Sequence, residues 1–134
     1  MSRENIAVVE DAYSAFAHEG LDRFLDYWTD DLVHRSMEGD PDYRDPIRGR
    51  KAMCVFLQDW IDTFDEFGIE PVELIDAGEE TVVAVLRYGG RARLSGLEAH
   101  ETFGAVFTIR DGKIARGREY RTRDEALEAA GLSE

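Results

Sequence analysis

The sequence predicts an α+β domain: a curved antiparallel sheet shaped as a cone, with three N-terminal helices packed on its concave face. Three observations predict it. Apolar residues recur at helical spacing through the first half of the chain and alternate at strand spacing through the second. The last two alternating stretches are joined by Asp111-Gly112-Lys113, a tight hairpin signal. The alternation also leaves one apolar sheet face for helices to cover. A sheet closed in this way surrounds an apolar interior, so a small-molecule pocket is the expected functional feature.

Ile6, Val9, Tyr13, Phe16 and Ala17 lie three or four residues apart and predict the first helix, which Gly20 is placed to stop. Leu21, Phe24, Leu25 and Trp28 predict a second, shorter helix ending at Thr29-Asp30-Asp31. Leu32 to Met37 reads as the first strand. The stretch from Glu38 to Gly49 contains two Asp-Pro steps and reads as a loop, with Tyr43 its large aromatic. Met53, Phe56, Leu57, Trp60, Ile61, Phe64 and Phe67 form the apolar stripe of a third helix. Strands are then expected at about 67–76, 81–94, 98–110 and 113–122. A short helix, Asp124 to Ala130, follows and ends at Gly131.

Parity assigns the faces of these strands. Val82, Ala84, Leu86, Tyr88, Ala92 and Leu94 share the side expected to meet the helices, and Val83, Val85, Arg87, Arg91 and Arg93 share the other. In the next strand Phe103, Ala105, Phe107 and Ile109 have the apolar parity, and Glu101 falls on it too. The last strand offers two readings. Either Ile114, Arg116, Arg118 and Tyr120 face inward, or Ala115, Gly117, Glu119 and Arg121 do, in which case Glu119 joins Glu101. A cross-strand Glu101–Arg118 charge ladder is the structural alternative to a pocket carboxylate.

At 134 residues the chain is read as one domain, 1–134, with a single core. A net charge of −13 disfavours nucleic acid and anionic membrane surfaces, both of which select basic patches. No apolar run approaches the roughly 20 residues of a membrane span. A lone cysteine, Cys54, has no internal disulfide partner and fits a cytoplasmic protein. Three histidines without H-x-H or H-x-x-x-H spacing give no metal motif.

The element order, with the segments Tyr13…Gly20-Leu21-Asp22, Asp45-Pro46-Ile47-Arg48-Gly49 and Asp111-Gly112-Lys113-Ile114, resembles the SnoaL-like group of the nuclear transport factor 2-like superfamily. Its relatives include polyketide cyclases and ketosteroid isomerases. The resemblance implies a cone-shaped, commonly dimeric domain that uses the cone as a pocket, and the fold hosts enzymes and non-enzymes alike. Tyr13 stands seven residues before Gly20, as the oxyanion-donating tyrosine of ketosteroid isomerases stands before its glycine. Their general base falls on Ser36 and their second acid on about Ala105. With those two groups missing, steroid isomerisation by the two-acid mechanism is not expected.

Three residues are the catalytic candidates. Glu101 is a carboxylate on an apolar face, where burial would suit it to proton transfer near neutral pH. His34 shares parity with Ser36, on the side that the resemblance places inside the cone. Tyr13 is the oxyanion donor, or else part of the first helix stripe. Trp28, Tyr43, Trp60, Phe64, Arg118 and Tyr120 are the ligand-binding candidates. The aromatic members serve equally as core, because in a cone the core lines the pocket. The expected activity is cofactor-independent isomerisation, cyclisation or dehydration of a small apolar molecule. The alternative is a non-catalytic ligand-binding or dimerisation module. An enzyme needs at least two titratable groups converging on one point, and a binding module does not.

Overall fold

The computed structural model describes residues 2–37 and 45–132. Helix α1 (Ser2–Glu19) buries Val9, Ala12 and Tyr13 on one side, as its spacing requires. Gly20, at φ 97°, ends it by donating its N–H to the carbonyls of Ala15 and Phe16. Helix α2 (Leu21–Leu25) is one turn long and buries Phe24 and Leu25.

Trp28 does not extend α2. It opens strand β1 (Trp28–Arg35), four residues earlier than the predicted first strand. Alternate residues Leu32, His34 and Ser36 point inward and are buried. A two-residue strand β2 (Ile47–Arg48) pairs with β1, and helix α3 (Gly49–Thr63) follows it directly. Helix α3 stops at Thr63, so Phe64 and Phe67 leave the predicted helical stripe and enter β3 (Phe64–Asp76).

Strands β4 (Thr81–Ala92), β5 (Glu98–Arg110) and β6 (Lys113–Tyr120) complete a six-stranded sheet in the order β2-β1-β6-β5-β4-β3. All neighbours are antiparallel except β1 and β6, which pair in parallel, so the sheet is mixed at that seam. The β5–β6 turn has Asp111 and Gly112 at φ 52° and 79°, the geometry the Asp-Gly signal predicts. Leu94, expected on the covered face, instead sits fully exposed beyond the end of β4.

The sheet bends where β3 and β4 meet. The β3 register slips between Asp65 and Gly68, opposite Gly89 and Gly90 at φ 149° and 154°. A Cβ on Gly90 would lie 2.8 Å from the Glu66 carbonyl oxygen, so only glycine permits this approach. The bend brings Tyr88 and Ile69 towards α3 and leaves a hollow between sheet and helices.

Helix α4 (Arg123–Ala129) covers part of the outer face. Its Ala126 and Leu127 pack on Val83, which is fully buried and so withdrawn from the exposed face on which it was expected. Among the described residues, no helix is long and apolar enough to cross a membrane.

Candidate functional site

The parallel seam between β1 and β6 builds the centre of the site. His34 is registered against Gly117, and Glu119 lies two residues further along the same face of β6. Because Gly117 has no side chain, the imidazole lies over β6; a Cβ there would fall 2.6 Å from Nδ1. His34 Nε2 is thereby held 2.7 Å from Glu119 Oε2, with only 4% and 14% of the two side chains exposed. Trp28 meets the imidazole edge-on at 5.7 Å, and Phe56 packs on it at the same separation. Nδ1 finds no partner among the described residues. The arrangement that leaves no buried donor unpaired therefore puts the proton on Nε2, which donates to the Glu119 carboxylate.

Glu119 also lines a cavity of about 340 Å³ between α3 and the sheet. Phe56, Leu57, Trp60, Phe67, Tyr88 and Phe103 provide half of its lining residues. Behind it lies a chamber of about 30 Å³ bordered by Tyr13, His34 and Glu119 together with apolar side chains. Leu57, Ile69, Phe103 and Glu119 line both spaces, so the carboxylate stands where they meet. The smaller space suits a single oxygen-sized group. Burial, and then the negative charge of Glu119, pushes the Tyr13 phenol well above the usual tyrosine range. Tyr13 therefore keeps its proton at neutral pH and is available as a donor.

The inward reading of Gly117, Glu119 and Arg121 is the one the structure adopts. Arg118 and Tyr120 occupy the opposite face, in a groove beside α4, with the Arg118 guanidinium 5.5 Å from the Tyr120 ring centre. Neither borders the apolar cavity, and Arg118 is on the wrong side of the sheet for a ladder with Glu101. Glu101 lies directly across from Tyr88 and lines the cavity, but it is exposed at the mouth rather than buried among apolar neighbours. Trp60 lines the cavity as expected. Trp28 is fully buried beneath His34, and Phe64 packs at the α3–β3 corner 5.7 Å from the Phe67 ring, so both belong to the core. Tyr43 lies outside the described residues.

Ser36 and Ala105, the positions to which the resemblance assigns two acids, are fully buried and carry no carboxyl group. Ala105 is registered directly opposite Glu119. A carboxylate is thus present at that height of the sheet, supplied by the neighbouring strand. Sequence reasoning left Glu119 as one of two alternatives because it rests on the β1–β6 pairing, which no local pattern announces. Tyr88 and Phe103 could have been selected as cavity residues from their parity with Glu101. Among the described residues, no three His, Cys, Asp or Glu side chains cluster as a metal site would require.

Fold and site together define an α+β cone domain with an apolar cavity and a polar cluster at its floor. The model of the SnoaL-like domain matches residues 9–117, and the chain belongs to that family. No curated protein matches the sequence. The similar solved structures include a provisionally assigned polyketide cyclase from Xanthomonas campestris, with TM-score 0.73 and 22% identity over 96% of this chain and 98% of that one. TerC, co-crystallised with polyporic acid, has TM-score 0.75 and 22% identity over 96% and 98%. A nuclear transport factor 2-like protein of unknown function from Burkholderia pseudomallei has TM-score 0.75 and 20% identity over 93% and 95%.

Proposed function

We propose that the cavity binds a small, mostly apolar molecule and that Glu119 moves a proton on it, oriented by His34 and assisted by Tyr13. This is cofactor-independent acid–base chemistry of the isomerase, cyclase or dehydratase type. One observation supports it above the others: Tyr13, His34 and Glu119 border a single chamber that meets an apolar cavity. A carbonyl oxygen entering the chamber would accept a hydrogen bond from the Tyr13 phenol. The adjacent carbon would present its proton to Glu119, and the enolate would form opposite a neutral donor. His34 would keep the carboxylate in place through the Nε2 hydrogen bond. Glu101, at the mouth, is no longer the preferred proton carrier. TerC, of the same fold, was crystallised with polyporic acid, which fits a ligand-taking cone. The second reading is a binding module in which the His34–Glu119 pair only satisfies buried polar groups. We also propose a homodimer, formed through the part of the outer sheet face that α4 leaves open.

Hydrogen–deuterium exchange tests the chemistry without knowledge of the natural substrate. A panel of small cyclic ketones and 1,3-diketones in D₂O is followed by proton NMR with and without the protein. The proposal expects exchange above the buffer rate for at least one compound, falling by roughly 10²-fold or more in Glu119→Gln. Exchange no faster than buffer across the panel, or equal exchange in Glu119→Gln, would leave the binding module as the reading.

A further inference from the structure

We propose that the ligand of this cavity carries a protonated amine, held by Glu101 at the mouth and by the rings of Trp60, Tyr88 and Phe103 that line the cavity beside it. The inference rests on the cavity being a ligand site and names the chemistry of what enters it.

Tyr88 lies between two rings and stands nearly perpendicular to both: 75° to Trp60 at 5.4 Å and 73° to Phe103 at 5.5 Å. Rings set at right angles present both faces and edges to the space beside them, and the faces carry the negative part of the ring quadrupole. Glu101 is registered against Tyr88 and lies two residues before Phe103 on the same side of β5, which sets its carboxylate at this aromatic corner. It makes no hydrogen bond or ion pair within the described structure, and the arginine expected beside it, Arg118, lies on the other face. Aromatic faces with a carboxylate among them are what a desolvated ammonium group needs.

Charge points the same way. Glu101 and Glu119 contribute two carboxylates to the cavity lining, and Arg121 contributes one guanidinium. The whole chain carries −13, a field that concentrates cations near its openings. An anion would meet a lining in which two carboxylates outnumber one guanidinium. An uncharged ligand without a hydrogen-bond donor, closing the mouth, would strip water from Glu101 and return nothing, and a neutral donor would return a hydrogen bond without the ion pair. A protonated amine replaces that water with an ion pair and leaves the apolar body of the ligand for Phe56, Leu57 and Phe67. About 340 Å³ accommodates a one- or two-ring amine.

Three probes share one ring and differ in head group: benzylamine, benzyl alcohol and benzoate. Their affinities are measured at pH 7 by isothermal titration against the wild type, Glu101→Gln and Glu101→Lys. The substituted position is exposed, and circular dichroism checks that each variant is folded. The proposal expects benzylamine to bind at least about tenfold more tightly than benzyl alcohol, with benzoate weakest. It expects Glu101→Gln to erase the preference for the amine and Glu101→Lys to favour benzoate. Equal affinities in the wild type, a lead for benzyl alcohol or benzoate, or an amine preference untouched by both substitutions would overturn the amine assignment while the apolar cavity stands. If none of the three binds up to about 10 mM, the cavity is not a ligand site and the proposed function falls with it.

Discussion

Gly117 shows how much of the site depends on one missing side chain. Its backbone supports the imidazole, and alanine there would set a Cβ 2.6 Å from His34 Nδ1 and 3.1 Å from the Phe107 ring. Both neighbours are core groups with little room to retreat. We expect Gly117→Ala to destabilise the fold by about 1–3 kcal/mol in chemical denaturation and to displace His34 from Glu119. Tyr13 gives a prediction in pH. Its folded-state value is raised, so the folded chain holds the phenolic proton after the unfolded chain has lost it. The contribution is complete below the ordinary tyrosine value and is lost as pH rises above about 10. Denaturation midpoints between pH 8 and about 11 should fall more steeply for the wild type than for Tyr13→Phe. Parallel curves would remove Tyr13 as the source of the alkaline limb.

At the scale of elements, helix ends divide what was legible from what was not. Gly20 ends α1 as its position announces, because a residue at φ 97° is a local demand that sequence satisfies locally. Trp28 and Phe64 read as helical because large apolar residues continue a helical stripe as easily as they begin a strand, and Phe67 stands where the predicted stripe and strand meet. Their strands are set by pairing with distant partners, Trp28 with Ile114 and Phe64 with Ala92. Helix α4 is locally specified. Its Thr122 side chain accepts from the Glu125 N–H, and the Glu125 carboxylate reaches back to the Arg121 N–H. Thr122→Ala should cost about 1 kcal/mol. Leu127→Ala, which leaves a gap over Val83, should cost about 2–4 kcal/mol, and both are read from urea midpoints. At the β3–β4 bend a Cβ on Gly89 would fall on the Ala99 carbonyl, so Gly89→Ala should prevent the sheet from curving and abolish cooperative unfolding.

For the molecule as a whole, the apolar parity of β4 and β5 fixed which side of the sheet meets the helices, and the structure keeps that assignment for Val82, Ala84, Leu86, Phe103 and Phe107. The outer face was half legible. Val83 reads as an exposed strand residue until α4 folds over it. With α4 in place, the dimer proposed above would use the remainder of that face. Light scattering at micromolar concentration should report twice the 15.2 kDa chain mass, and a monomer mass would remove the pairing proposal.

Periodicity and turn residues by themselves determined the α+β class, the covered face of the long strands and the Asp111-Gly112 hairpin. These follow from short-range geometry and from composition, both of which a single sequence carries. The site was decided by tertiary structure. His34, Gly117 and Glu119 meet only because β1 pairs in parallel with β6, joining residues 85 positions apart. Glu101 was visible as a carboxylate on an apolar parity, but its exposure at the mouth depends on where the sheet ends and the helices stop covering it. Strand partnership and the limits of helix coverage are long-range choices made by the total burial of the core, and no window of sequence contains them.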